Sequence, residues 1–339
     1  MFSATALLLL LSFPQSEKFI EVSFVTDEAE SVLAILEKRE RGIEITQRDW
    51  DNLFFSEGYT RLKEREESIG RSFTEEDFQK FVLSESLISR KKALRKTLET
   101  WKKCNLMLAA QKALAYLPKD TKIKAKVILL IKPQTNSFVW DLQNNPAVML
   151  YLDTTMSPEE FDATITHEFH HIGYANSCPN KEFKEWLSKQ TEETRNAFMW
   201  LSAFGEGFAV LAQSEGKKGN PYGYFRRDVR YAWIRNYANV YRDMKTLEDF
   251  FDGVFKGKWN KEEVQKKGYE FFGLLGPWYT VGYLIAVTIE DAFGRAKLIE
   301  CFSDPRILLS TYNDAAKKLK RKQPLFSESL VKKFEGEQV

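Results

Sequence analysis

Histidine occurs three times in the 339 residues, and all three fall in the run Thr166-His167-Glu168-Phe169-His170-His171. Within that run lies the pattern HExxH. On a helix, residues four apart stand above one another, so the imidazoles of His167 and His171 can reach one ion from a single face. Glu168 is next to that face without joining the two histidines on it, which is where hydrolysis by metal-activated water needs its general base. Zinc held by two imidazoles and a carboxylate keeps a fourth position for water, whose pKa it lowers to about 7. Glu168 would take the proton of that water and pass it to the leaving amine. A solvent-facing histidine patch is the competing reading. His170 could pair with His167, but the 167/171 pair leaves Glu168 better placed. His170 is therefore read as supporting a ligand or lying exposed.

The flanking residues argue for the helix. Ser157-Pro158-Glu159-Glu160 reads as a capping box, with Ser157 as N-cap, Pro158 at the first helical position and Glu160 turning back to the cap. Phe161, Ile165, Phe169 and Ile172 recur at helical spacing, and Gly173 is the expected stop. No histidine remains for a third ligand, so the search passes to downstream carboxylates. In residues 194–213 (TRNAFMWLSAFGEGFAVLAQ), Glu206 is the only ionisable side chain after Arg195. Burying an unpaired carboxylate costs several kcal/mol, so this position calls for a cation or a strong donor, which a metal, a lysine or an arginine could each supply. Gly205 and Gly207 weaken a helix by about 1 kcal/mol each, yet they let another element approach closely. Glu192, Glu193 and Glu215 are competing carboxylates in polar surroundings and read as solvated helix ends.

HEFHH followed by Gly205-Glu206-Gly207-Phe208-Ala209 resembles the gluzincins, zinc peptidases whose third ligand is a glutamate. The EGFA string is similar to that of aminopeptidase N and its relatives. Pro277-Trp278-Tyr279-Thr280-Val281-Gly282-Tyr283 leads into an apolar run closed by Gly294, and is similar to the YxxG segment in which those enzymes set a tyrosine hydroxyl against the tetrahedral intermediate. The resemblance implies His167, His171 and Glu206 as ligands of one zinc ion per chain, Glu168 as base, Tyr279 as oxyanion donor, and peptide or protein substrates. Tyr222, Tyr224 and Tyr283 are the alternative donors. Between His171 and Glu206 lie 34 residues (172–205), far more than in aminopeptidase N, so an extra helix or loop is expected there. The GxMEN segment that captures a free amino terminus is absent, and aminopeptidase activity is not expected. The resemblance covers about residues 120–303 and is greatest to bacterial zinc-dependent peptidase domains grouped largely by motif.

Lys+Arg number 50 against 48 Asp+Glu, so no general field draws the chain to nucleic acid or anionic lipid. Cys104, Cys178 and Cys301 are too few and too scattered for a disulfide framework. Cys178 follows His171 closely, but thiolate ligation there would leave Glu206 unexplained. Residues 4–11 resemble the core of a secretory signal and are too short to span a bilayer as a helix. No basic residue precedes them and no clean cleavage site follows. Residues 1–17 are read as a candidate signal segment for export from a bacterium, with a cytoplasmic location as the alternative. No other integral membrane span is expected.

Residues 27–38, 46–56, 74–83 and 89–117 read as helices, residues 122–131 and 147–153 as strands, and the chain after 153 as helical to about 333. The expected fold is a predominantly helical α+β protein. An N-terminal helical region (18–117) precedes a zincin-like catalytic domain (118–339) whose small sheet comes just before the HExxH helix. An edge strand there could bind an extended peptide beside the metal. Residues 222–241 mix arginines with aromatics; a core stripe with a basic edge is expected rather than nucleic-acid stacking. Lys317 to Lys322 read as a solvated helix end. The reading is peptide-bond hydrolysis by zinc-activated water. The alternatives are a non-catalytic helical scaffold with a structural metal, or a zinc hydrolase of another carbonyl bond.

Overall fold

Ile20–Val25 (β1, IEVSFV) sets Ile, Val and Phe at every second position, the period of a half-buried strand. It lies in the region read as helical and corrects that reading. With Ile123–Leu130 (β2), Phe138–Trp140 (β3) and Ala147–Tyr151 (β4) it forms one mixed sheet in the order β1-β2-β4-β3. The first three strands in that order are parallel, and β3 runs antiparallel at the edge. β4 is buried along its whole length and β2 nearly so, as their near-continuous apolar runs require of strands covered on both faces. The structure is a computed structural model that describes residues 20–216 and 218–336; the candidate signal segment lies outside them.

A parallel pair needs a long crossover. Between β1 and β2 it consists of Asp27–Glu40 (α1), Gln47–Phe54 (α2), Glu57–Ser68 (α3), Glu75–Val82 (α4), Glu85–Trp101 (α5) and Leu106–Leu114 (α6). The single helix expected over 89–117 is two. It starts earlier because Ser84 caps α5, and it breaks because Asn105 accepts from the Leu108 amide at 3.0 Å and starts α6 afresh. Ser56, expected inside a helix end, instead caps α3.

Pro158–Ser177 (α7) carries the three histidines and separates two apolar cores. Its Phe161, Ile165, Phe169 and Ile172 close on the sheet. The helix does not stop at Gly173. A Cβ there would stand 2.4 Å from Leu117 Cδ1, so the glycine serves close packing against the chain entering β2. The second core is gathered from Lys181–Ser188 (α8), Glu192–Leu201 (α9), Gly205–Gln213 (α10), Arg227–Tyr237 (α11), Val240–Phe255 (α12), Lys261–Glu270 (α13), Pro277–Phe293 (α14), Arg295–Ser303 (α15), Leu308–Lys318 (α16) and Glu328–Glu335 (α17). The aromatics of 222–241 do not make one stripe: Trp233 is buried, whereas Tyr224, Tyr231 and Tyr241 are exposed. The chain turns before α11 and again between α11 and α12, so these rings do not share a helix face. Among the described residues no helix is long and apolar enough to cross a membrane.

Candidate metal centre

Ser157 caps α7 as expected, its hydroxyl accepting the Glu160 amide at 3.1 Å. The return bond of the capping box is not made. The Glu160 carboxylate accepts the Arg226 amide at 3.2 Å instead, while the Arg226 guanidinium holds Asp153 at 2.9 Å. The segment before α11 is thereby pinned to the start of the histidine helix.

On the opposite side, α10 crosses α14 at van der Waals contact of their backbones. A Cβ on Gly207 would stand 2.0 Å from the Tyr283 nitrogen, and one on Gly282 2.6 Å from the Phe204 oxygen. Only glycine permits this approach. Nothing lies within 4 Å of a Cβ built on Gly205, so of the two glycines flanking Glu206 it is Gly207 that makes the contact. Glu206 precedes Gly207 by one residue, and Tyr279 precedes Gly282 by three, one helical turn. The crossing therefore sets both side chains at one place. The 34-residue separation from His171 is filled by α8, α9 and a 3-10 turn, Ser202–Phe204.

Three ligand atoms meet there. The Nε2 atoms of His167 and His171 are 3.0 Å apart, and they lie 3.2 and 3.3 Å from Glu206 Oε2. Tetrahedral zinc with bonds of about 2.0–2.1 Å holds its ligand atoms about 3.3 Å apart. The triangle thus has the size that zinc requires, and two imidazoles with a carboxylate are a donor set that suits it. Among the described residues this is the one group of three or more His, Cys, Asp or Glu so arranged. Burial opposes ionisation of Glu206, but the charge of His171 and hydrogen bonds from both imidazoles hold its carboxyl well below the usual range. Burial would push His171 down; the Glu206 carboxylate outweighs it and lifts the imidazole to about 9. The carboxylate and the imidazole thus stabilise each other's charged forms.

Glu168 is half-buried and has no hydrogen bond among the described residues. Its charge is felt by His171, Tyr222 and Tyr279. Tyr279 lies in the first turn of α14, earlier than the apolar run alone suggested, and its ring stacks on His167 at 6.3 Å between centroids. Desolvation and then the Glu206 charge push its hydroxyl pKa far up. Tyr222 shares the site and is likewise raised by burial and by Glu206. Tyr283 packs on Trp233 and Tyr237 instead, and Tyr224 is exposed. His170 is not exposed: it is fully buried against Tyr174 and Phe302, and desolvation holds it well below its usual pKa. Glu192 and Glu193 are exposed in the first turn of α9, and Glu215 pairs with Lys112 at 2.9 Å. Cys178 is a buried free thiol. Sequence reasoning missed the aromatic wall of Trp200, Tyr269 and Phe272 beside the triangle, because nothing in their local spacing tells a cleft lining from core.

No curated protein and no solved structure matches the chain. A family model does, over residues 50–321, which takes in every residue of the triangle and most of the crossover helices. With four fifths of its length matched, the chain belongs to the family described as "putative zinc dependent peptidase" (DUF5700).

Proposed function

We propose that this zinc peptidase is of the gluzincin type. His167, His171 and Glu206 hold one zinc ion, Glu168 is the general base and Tyr279 the oxyanion donor, within a zincin-like domain over residues 118–339 that follows the N-terminal region 18–117. The observation that carries the reading is the triangle of ligand atoms with edges of 3.0, 3.2 and 3.3 Å. Three protein ligands rather than four among the described residues leave a position for substrate and water, whereas structural zinc sites are usually closed by four. That arrangement favours catalysis over a structural role.

Zinc bound there supplies Lewis acidity to water and to the scissile carbonyl. Glu168, with no hydrogen bond among the described residues, takes the proton of the attacking water and returns it to the amine nitrogen as the C–N bond breaks. A phenol keeps its proton at neutral pH with its ordinary pKa of about 10, and burial and Glu206 act in the same direction on Tyr279, so it can donate a hydrogen bond to the oxygen that gains charge. β3 is the outer strand of the sheet, and a strand edge of this kind can take up an extended peptide. We read residues 1–17 as the signal for export.

The test combines metal analysis with cleavage of a peptide library. Wild type is expected to carry near one zinc per chain and to cleave. His167→Ala and His171→Ala lose the metal, and Glu168→Gln keeps it but loses cleavage. A Glu168→Gln variant that retains the wild-type rate would remove Glu168 from the role of base.

A further inference from the structure

A cavity of about 310 Å³ opens directly beside the triangle, lined by His171 and Glu206 on one side and by Met199, Trp200, Tyr269 and Phe272 on the other. That volume is at the small end for ligand sites, where about 300–1,000 Å³ is usual, and suits one side chain. Its aromatic wall is continuous. Trp200 meets Tyr269 edge-on at 5.4 Å, Tyr269 meets Phe272 at 6.2 Å, and Phe272 meets Tyr279 at 6.5 Å. The wall thus ends on the tyrosine that stacks on His167. The indole is fixed in place: a Cβ on Gly268 would stand 2.3 Å from it, and Trp278 stacks on it at 6.0 Å.

The remaining lining, Ser202, Ala203 and Gln265, is uncharged, so among the described residues the only charges lining the cavity are those of the metal-binding cluster. A charged substrate side chain would find no opposite charge along the aromatic wall to offset the loss of its water. Meanwhile Tyr269 and Met199 leave 66% and 46% of their surface exposed, apolar area that a bound aromatic would cover. Met199 and Trp200 sit on α9, within the long segment between the two metal-bearing helices. We propose that this segment, with α13, forms a specificity pocket for an aromatic or bulky uncharged side chain next to the scissile bond. The inference rests on the peptidase reading and names its substrate class.

Dipeptide hydroxamates that differ only in the side chain beside the chelating group separate the possibilities, measured by titration calorimetry on the zinc-loaded full chain. The benzyl compound is expected to bind at least 10-fold more tightly than the methyl one, with the carboxymethyl compound weakest. Tyr269→Ala, at an exposed position, should lower the preference for benzyl over methyl at least threefold. Met199→Glu should lower it too and improve binding of an aminobutyl side chain. Equal benzyl and methyl affinities, or a preference unchanged in both variants, overturn the pocket and leave the metal centre standing. If no hydroxamate binds the zinc-loaded protein, the peptidase reading falls and the pocket with it.

Discussion

Gly207 of α10 and Gly282 of α14 meet backbone to backbone, with Gly282 Cα 2.5 Å from where a Gly207 Cβ would stand. Neither residue does chemistry, yet their contact decides where Glu206 and Tyr279 sit. Gly207→Ala or Gly282→Ala must push the helices apart. Overpacking of this kind costs about 1–3 kcal/mol, and the same shift draws Glu206 away from the imidazoles. Denaturant unfolding and zinc stoichiometry should both fall. Gly205→Ala is the control: its Cβ meets nothing, and replacing a helical glycine gains up to about 1 kcal/mol. Equal losses in all three variants would show that the crossing has no special place in the site.

Chelation should destabilise the protein by an amount that reads out the triangle. A ligand that binds only the folded state adds about 4 kcal/mol of stability at a thousand times its Kd. The thermal midpoint is expected to drop on adding a chelator and to recover with zinc. Glu206→Gln keeps the shape of the side chain and removes the charge that the two imidazoles surround, so its chelator-dependent shift should shrink sharply. An undiminished shift in that variant would mean that Glu206 is not a ligand.

The candidate site was legible in the sequence where chemistry narrows the choice of residue. Three histidines in five positions leave few alternatives, and one carboxylate in an apolar helix demands a partner; the structure brings Glu206 to within 3.3 Å of both rings. Elements with strong caps were also legible, as Ser157 and Thr74 illustrate. What failed depended on distant partners. Gly173 looks like a helix stop until Leu117 is seen lying against it. Glu160 looks like half of a capping box until Arg226 arrives from 66 residues away. β1 alternates Ile20, Val22 and Phe24, but over six residues only, and its place in the fold comes from pairing with β2 across six helices. Local periodicity carries no record of such contacts.

Tyr279→Phe removes one hydroxyl and leaves the ring stacked on His167. Loss of a single oxyanion donor lowers kcat by about 10²–10³-fold. Zinc content and KM should stay near wild type, since in the proposed role the hydroxyl acts on charge that develops only in the transition state. Tyr222 is the comparator, because its hydroxyl is also raised by burial and Glu206, and because its backbone holds φ at 60°. If Tyr222→Phe loses kcat and Tyr279→Phe does not, the donor role passes to Tyr222.

Away from the metal, Glu28 is fully buried at the start of α1, with one carboxylate oxygen accepting the Ile131 amide at 2.9 Å and the other unpartnered among the described residues. Desolvation raises its pKa well above the ordinary 4.5; the Ile131 bond opposes the rise, nearby Asp27 adds to it, and Lys132 opposes it. A folded-state pKa above the unfolded value means that the neutral carboxyl favours folding. That contribution is complete below about pH 4.5 and is lost as the pH climbs through the folded value. Glu28→Gln keeps an acceptor for Ile131 and cannot ionise. Its thermal midpoint should match that of wild type near pH 4 and exceed it increasingly toward pH 8, measured by calorimetry at fixed zinc. A variant that is less stable than wild type at pH 8 would show that the carboxylate is held ionised by a partner, and that burial does not govern this position.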